Sequence, residues 1–157
     1  MNTKKQELCA LFAKLGARNP EQWVESQLEE GIPQLARFLF LRQAWQLVVR
    51  PDDRTWLEGE ANNNASVPGS AIIPAIKRLR ESGASEEDLI TVVRVMQWKL
   101  LSSLCYLLDD PGDLEDEVSD IAWRLFQVNS EGEPIAAISG LHESVLETEP
   151  SGREMRP

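Results

Sequence analysis

The chain has 157 residues and a mass of 17.7 kDa, with 26 acidic side chains, 16 basic ones and one His, for a formal charge of -10. That length fits one domain with a real core, and that charge argues against a general nucleic-acid binder, which needs clustered Lys and Arg to displace counterions from phosphates. One His and two Cys exclude most His/Cys metal sites, and they exclude a Ser-His-Asp triad unless His142 is its base.

The first segment reads as a helix over 3–15, with Thr3 as N-cap, Leu8, Leu11, Phe12 and Leu15 at helical spacing, and Gly16 to end it. Its positive start lacks an apolar stretch and a small-residue cleavage site, so no signal peptide is expected. Asn19-Pro20-Glu21 then starts a second helix, carrying Trp23, Val24 and Leu28 against Glu21, Glu25, Glu29 and Glu30, with Gly31 at its end. Pro33 opens a third helix to about Val49. It is apolar almost all round and is expected at the centre of the molecule. Residues 52–57 can add one helical turn. The stretch 58–70, with Asn62-Asn63-Asn64, Pro68 and Gly69, reads as a long exposed loop.

A fourth helix is expected over 70–82, with Ile72, Ile73, Ile76 and Leu79 on one face and Pro74 in its first turn. Ser85 caps a fifth, with Glu86, Glu87 and Asp88 in its first turn. Its stripe of Leu89, Val92, Val93, Met96, Leu100, Leu104 and Leu107 makes it the second central helix, about 36 Å long at 1.5 Å per residue. A sixth is expected over 113–128, burying Leu114, Val118, Ile121, Ala122 and Leu125. After a turn at 129–134, Pro134 to Ile138 reads as a short strand or extended chain, and 141–146 as a short helix. The fold class expected is all-α: a single-domain bundle of about six helices over 1–148, with the apolar helices 33–49 and 85–108 at its centre. Residues 149–157 have the composition of a mobile tail. The most apolar run, Leu100 to Leu108, is roughly half the ~20 residues of a membrane span. Cys9 and Cys105, distant and set among apolar residues, are expected as reduced core thiols in a cytoplasmic protein.

The most unusual feature is the acidic stretch Asp109, Asp110, Asp113, Glu115, Asp116, Glu117 and Asp120, with no base between Lys99 and Arg124. It reads either as a solvated helix start or as a contact surface for a basic partner. Asp109-Asp110-Pro111-Gly112-Asp113 has the letters of the DDxxD motif of prenyl-chain enzymes, but Pro-Gly breaks the helix that motif needs. Glu117-Val118-Ser119-Asp120 has an ExxD pattern that resembles half of the MazG-type nucleotide pyrophosphatases. Their second carboxylate pair is absent, since Glu21, Glu25 and Glu29 recur at spacings of four. Neither a Gly-rich phosphate loop nor an EF-hand loop occurs. Lys77, Arg78 and Arg80 lie where a helix dipole favours cations, so no nucleic-acid contact is expected. His142, beside Glu143 and Ser144, reads as a partly exposed residue that orients the chain end. Trp56, next to the polar loop, and Trp98, off the apolar stripe of its helix, are candidate interface anchors.

The expectation that follows is a non-enzymatic acidic protein-binding module without metal or cofactor. Asp109, Asp110, Asp113, Asp116 and Glu117, or else Glu21, Glu25 and Glu29, would pair with Lys and Arg of a basic protein partner, and Trp56 and Trp98 would add desolvated contact. In type, a small acidic helical protein of this kind resembles the immunity proteins of bacterial polymorphic toxins and bacteriocins. That resemblance implies a basic toxin as partner and rests on no motif. The alternative is a small helical metal-dependent nucleotide or diphosphate hydrolase with Glu117 and Asp120 as ligands. Two apolar central helices would also permit a homo-oligomer. The segments 32–45 and 140–144 stand out as non-random without pointing to a named activity.

Overall fold

The structure, a computed structural model, describes residues 3–58 and 67–156. Among them the chain is mostly helical, with seven α-helices and one two-stranded sheet. The order is α1 (Thr3–Leu15), α2 (Pro20–Glu25), α3 (Gln34–Ala44), α4 (Thr55–Glu58), α5 (Ile72–Glu81), α6 (Glu86–Asp109), β1 (Leu125–Val128), β2 (Pro134–Ile138) and α7 (Leu141–Ser144). Most of the expected loop over 58–70 lies outside the described residues. No described helix is long and apolar enough to cross a membrane. The residues gather into two compact units, one formed by the chain up to Leu47 and again from Lys99 onward, the other by Val48–Trp98.

In the first unit, α1 and α2 fold against each other through aromatic rings. Phe12 stacks on Trp23 with centroids 6.0 Å apart, and Phe38 of α3 meets both rings edge-on at 5.6 and 5.4 Å. Val24 joins them, and Leu8, Cys9, Leu15, Ala17 and Leu35 close the cluster. Pro20 sits at the first helical position of α2, where its missing N–H costs nothing. A wider π-helical turn, Ser26–Glu30, continues that helix until Gly31 stops it in the left-handed conformation. Helix α3 ends at Ala44 and tightens into a 3-10 turn over Trp45–Leu47 instead of running to Val49. Leu41, Cys105, Leu141 and Val145 are buried in the same unit, and the Trp45 indole Nε1–H donates to the Val145 carbonyl at 2.8 Å.

The second unit has a smaller core of Leu57, Ile76 and Ile90, with Val49, Trp56, Ile73 and Leu89 packed on it. The start of α6 is capped as the sequence implies. The Asp88 backbone N–H donates to Ser85 Oγ at 3.1 Å, and the Ser85 hydroxyl donates to Asp88 Oδ2 at 2.8 Å.

Two expectations are corrected. The helix predicted over 113–128 does not form. After α6, Gly112 turns the chain with φ 72°, a short 3-10 turn spans Asp116–Val118, and Leu125–Val128 pairs antiparallel with Pro134–Ile138. The apolar spacing 114, 118, 121, 125 suits a helix, but the tight turn between the strands prevails. Asn129 Oδ1 accepts the backbone N–H groups of Glu131 and Glu133 at 2.9 Å each, and Gly132 supplies the positive φ that a hairpin turn needs. The second correction concerns α6 as a central helix. Its stripe of Val92, Met96, Leu100, Leu104 and Leu107 stands exposed, with Met96 at 62%, and only Ile90 and Cys105 of that helix are buried.

Cys9 and Cys105 are both free thiols. Burial and the nearby Asp109 carboxylate push the Cys105 thiol up from 9.0 to about 11. A raised folded value means stability that is complete below the unfolded value and is lost as pH climbs through the folded one. Urea midpoints measured from pH 8 to pH 11 are expected to fall between about 9 and 11, and Cys105→Ala is expected to flatten that fall.

Candidate binding cleft

Two segments far apart in sequence, α3 and the stretch around α7, are joined by one buried cation. Arg37 is 7% exposed. Its Nη2 donates to the Gly140 carbonyl and, at 2.6 Å, to Ser144 Oγ, and the Glu143 carboxylate lies 3.6 Å away. Burial pulls the guanidinium down from its ordinary value, while the charges of Glu143, Asp109 and Glu147 oppose that. It stays protonated at neutral pH, as arginine does in proteins. Gly140 holds φ 69°, and a Cβ there would come within 2.8 Å of Arg37 Nη2, so only glycine fits against the guanidinium.

The chain after α7 is held by a second arginine. Arg18, between α1 and α2, donates to the carbonyls of Leu146, Glu147 and Gly152 at 2.5 to 3.1 Å and lies 3.5 Å from Glu154. Glu149, in the stretch expected as a tail, is 3% exposed, and its carboxylate accepts the Ser151 hydroxyl.

Beside Arg37 opens a cleft of about 460 Å³, within the range of small-ligand sites. The residues that line it include Glu25, Glu29, Glu30, Glu143 and Glu147, with Arg37, Gln34, Ser26 and Ser144 among them. Five glutamates against one arginine leave its wall at -4. Lys5 pairs with Glu25 at 2.9 Å, and Arg37 is matched by Glu143. Gln34 and Arg37 are almost fully buried, yet Gln34 Oε1, Arg37 Nε and Glu147 Oε1 have no hydrogen-bond partner. Among the described residues no group of three or more His, Cys, Asp or Glu is placed to hold a metal ion.

The residues singled out from sequence divide. Asp109 turns inward with its side chain 7% exposed. Its Oδ2 lies 2.6 Å from His142 Nδ1 and accepts the His142 backbone N–H at 3.1 Å. Tyr106 packs edge-on against the His142 ring at 5.2 Å. Asp110 accepts the Gly112 backbone N–H at 2.9 Å and is exposed, as are Asp113, Asp116 and Glu117. Glu117 and Asp120 sit in and just after a 3-10 turn, so the helical spacing that an ExxD pair needs is not present. Trp56 and Trp98, both in the second unit, are half-buried with their indole N–H groups enclosed. Of the second acidic set, Glu25 and Glu29 line the cleft, and Glu21 does not. Sequence reasoning did not reach Glu30, Gln34, Arg37, Glu143 and Glu147 as site residues. The available signal was the pair of distinctive segments, 32–45 and 140–144, which the fold brings together.

No protein-family model, curated protein or solved structure matches the chain at a significant level.

Removing Arg37 strands the Ser144 and Gly140 acceptors, whereas Glu143, mostly exposed, is left to water. Arg37→Met is expected to cost about 2–3 kcal/mol, the upper part of the scale for leaving buried hydrogen-bond partners unsatisfied. Asp109→Ala is expected to cost about 1–3 kcal/mol through its two lost contacts to His142, whereas Asp113→Ala stays within about 0.5 kcal/mol. Urea unfolding of the three variants measures this ranking.

Proposed function

We propose that this chain is a non-enzymatic binding protein for a basic protein partner, and that the cleft between α2, α3 and α7 receives a cationic side chain of that partner. The supporting observation is the convergence of Glu25, Glu29, Glu30, Glu143 and Glu147 on one concave, ligand-sized wall. Carboxylates drawn together in a concavity focus a negative potential, which raises the encounter rate with a positive surface and selects against acidic ones. Asp113, Asp116 and Glu117, exposed in the same unit, extend the negative surface without being tied to buried groups. Neutralisation of a basic toxin, the role of the immunity proteins that the chain resembles in type, is the form of this function we propose.

The reading is tested with a short peptide rich in Lys and Arg, titrated at low and at high salt. Binding is expected to weaken as salt rises. The double substitution Glu29→Gln and Glu30→Gln is expected to lower affinity about 5- to 10-fold, from two charge contacts of under about 1 kcal/mol each. The triple substitution Asp113→Asn, Asp116→Asn and Glu117→Gln is expected to lower it less. Absence of binding to the parent chain, or a larger loss in the triple variant, would overturn the proposal.

A further inference from the structure

We infer that the first unit carries a second docking surface, built by the exposed leucines of α6 and the outer face of the hairpin, and that it receives an amphipathic basic helix of a partner protein. The inference shares with the cleft reading only the sign of the partner's charge, and it uses different residues.

Soluble chains scatter exposed apolar side chains singly, and this one concentrates them. Of the eighteen large hydrophobic side chains exposed among the described residues, ten fall between Leu100 and Ile135. Leu100, Leu104 and Leu107 follow one another at the i, i+4, i+7 spacing that raises a ridge along a helix. In the hairpin, side chains alternate between faces. Ile138, paired with Leu125, is buried where β2 packs on α3, which turns Phe126 and its partner Ala137 to the opposite face. Phe126 is exposed there, and Val128 and Ile135 are exposed towards the turn. Neither strand has a charged residue, nor does the helix from Leu100 to Leu108. A half-exposed large side chain offers on the order of 90 Å², so the ten present roughly 900 Å², close to the ~800 Å² that one partner gives to a standard protein interface. A small ligand would leave most of it in water.

The charge around these residues selects the partner. The chain from Asp110 to Asp120 holds six acidic residues, all exposed, and no basic one. That stretch starts and ends at the end of α6: the Asp110 backbone N–H donates to the Tyr106 carbonyl at 2.9 Å, and the Trp123 indole N–H donates to the Leu107 carbonyl at 2.7 Å. The carboxylates therefore border the leucines of α6 and lead into β1. An uncharged centre with a charged rim is the usual anatomy of a protein interface. The rim here is negative, so it attracts a basic flank and repels an acidic one. A second copy of this chain, at -10 and with the same rim, is disfavoured by that repulsion. A helix with leucines on one side and Lys or Arg beside them matches both parts, because its apolar ridge fits the grooves beside the leucine ridge of α6.

The probe is a peptide of about 18 residues, long enough to be helical, with leucines on one face and Lys and Arg on the other. It is titrated into the ¹⁵N-labelled full chain beside a scrambled peptide of the same composition. The amphipathic peptide is expected to bind at least about 10-fold tighter than the scrambled one, to shift the amides of 100–107 and 125–128, and to weaken as salt rises. Leu104→Ser and Phe126→Ser are each expected to lower its affinity about 5-fold or more. Both side chains are exposed, so the fold is kept, and either variant decides the matter alone. No binding of the amphipathic peptide, equal affinities for the two peptides, or affinity that survives both substitutions overturns the inference. Shifts confined to the cleft residues overturn it too and leave the cleft reading standing. Sedimentation of the chain alone gives the last outcome: a dimer that Leu104→Ser dissociates would assign this face to a second copy and overturn the basic helix.

Discussion

The first unit depends on the enclosure of one guanidinium. Arg37 is too costly to bury without partners, and the chain meets that demand from over a hundred residues away, through the Gly140 carbonyl and the Ser144 hydroxyl. Those partners are the N-cap and the last residue of a four-residue helix, α7, that has too few turns to persist by its own propensity. Its place is set by the arginine below it, by Trp45 holding the Val145 carbonyl, and by Asp109 gripping both the ring and the backbone of His142. The charged core contact and the aromatic cluster of Phe12, Trp23 and Phe38 are adjacent on α3, so one helix carries both the apolar and the polar tie of this unit.

The same contact shapes the surface chemistry. Glu143 is drawn to Arg37 and Glu25 to Lys5, while Glu29, Glu30 and Glu147 also line the cleft. Arg18, by holding the carbonyls of Leu146 and Glu147, anchors the backbone from which Glu147 enters the cleft.

The acidic run that dominates the sequence has no single role. Asp109 is the last residue of α6 and faces the interior, where its carboxylate also raises the neighbouring Cys105 thiol. Asp113, Asp116 and Glu117 follow a turn and face solvent. Adjacent letters therefore part company within one stretch, because a helix end points its side chain back along the helix and an irregular turn does not.

Helix starts and stops were readable from single residues. Pro20, Gly31, Ser85 and Gly112 each act through their own backbone or a neighbour's, and the start of α2, the end of its π-helical continuation and the bounds of α6 follow from them. The 125–138 hairpin was half readable, since Asn129 and Gly132 mark its turn, but the apolar spacing upstream also satisfied a helix. Strand pairing is a contact between segments, and periodicity within one segment cannot weigh it. Length, charge, helical character and the capping signals are local properties, and the sequence by itself determined them. The cleft was decided only by tertiary structure. Arg37, Gln34 and Glu147 line one cleft because the contacts of a buried cation hold α7 against α3, and no spacing rule connects residues so far apart along the chain.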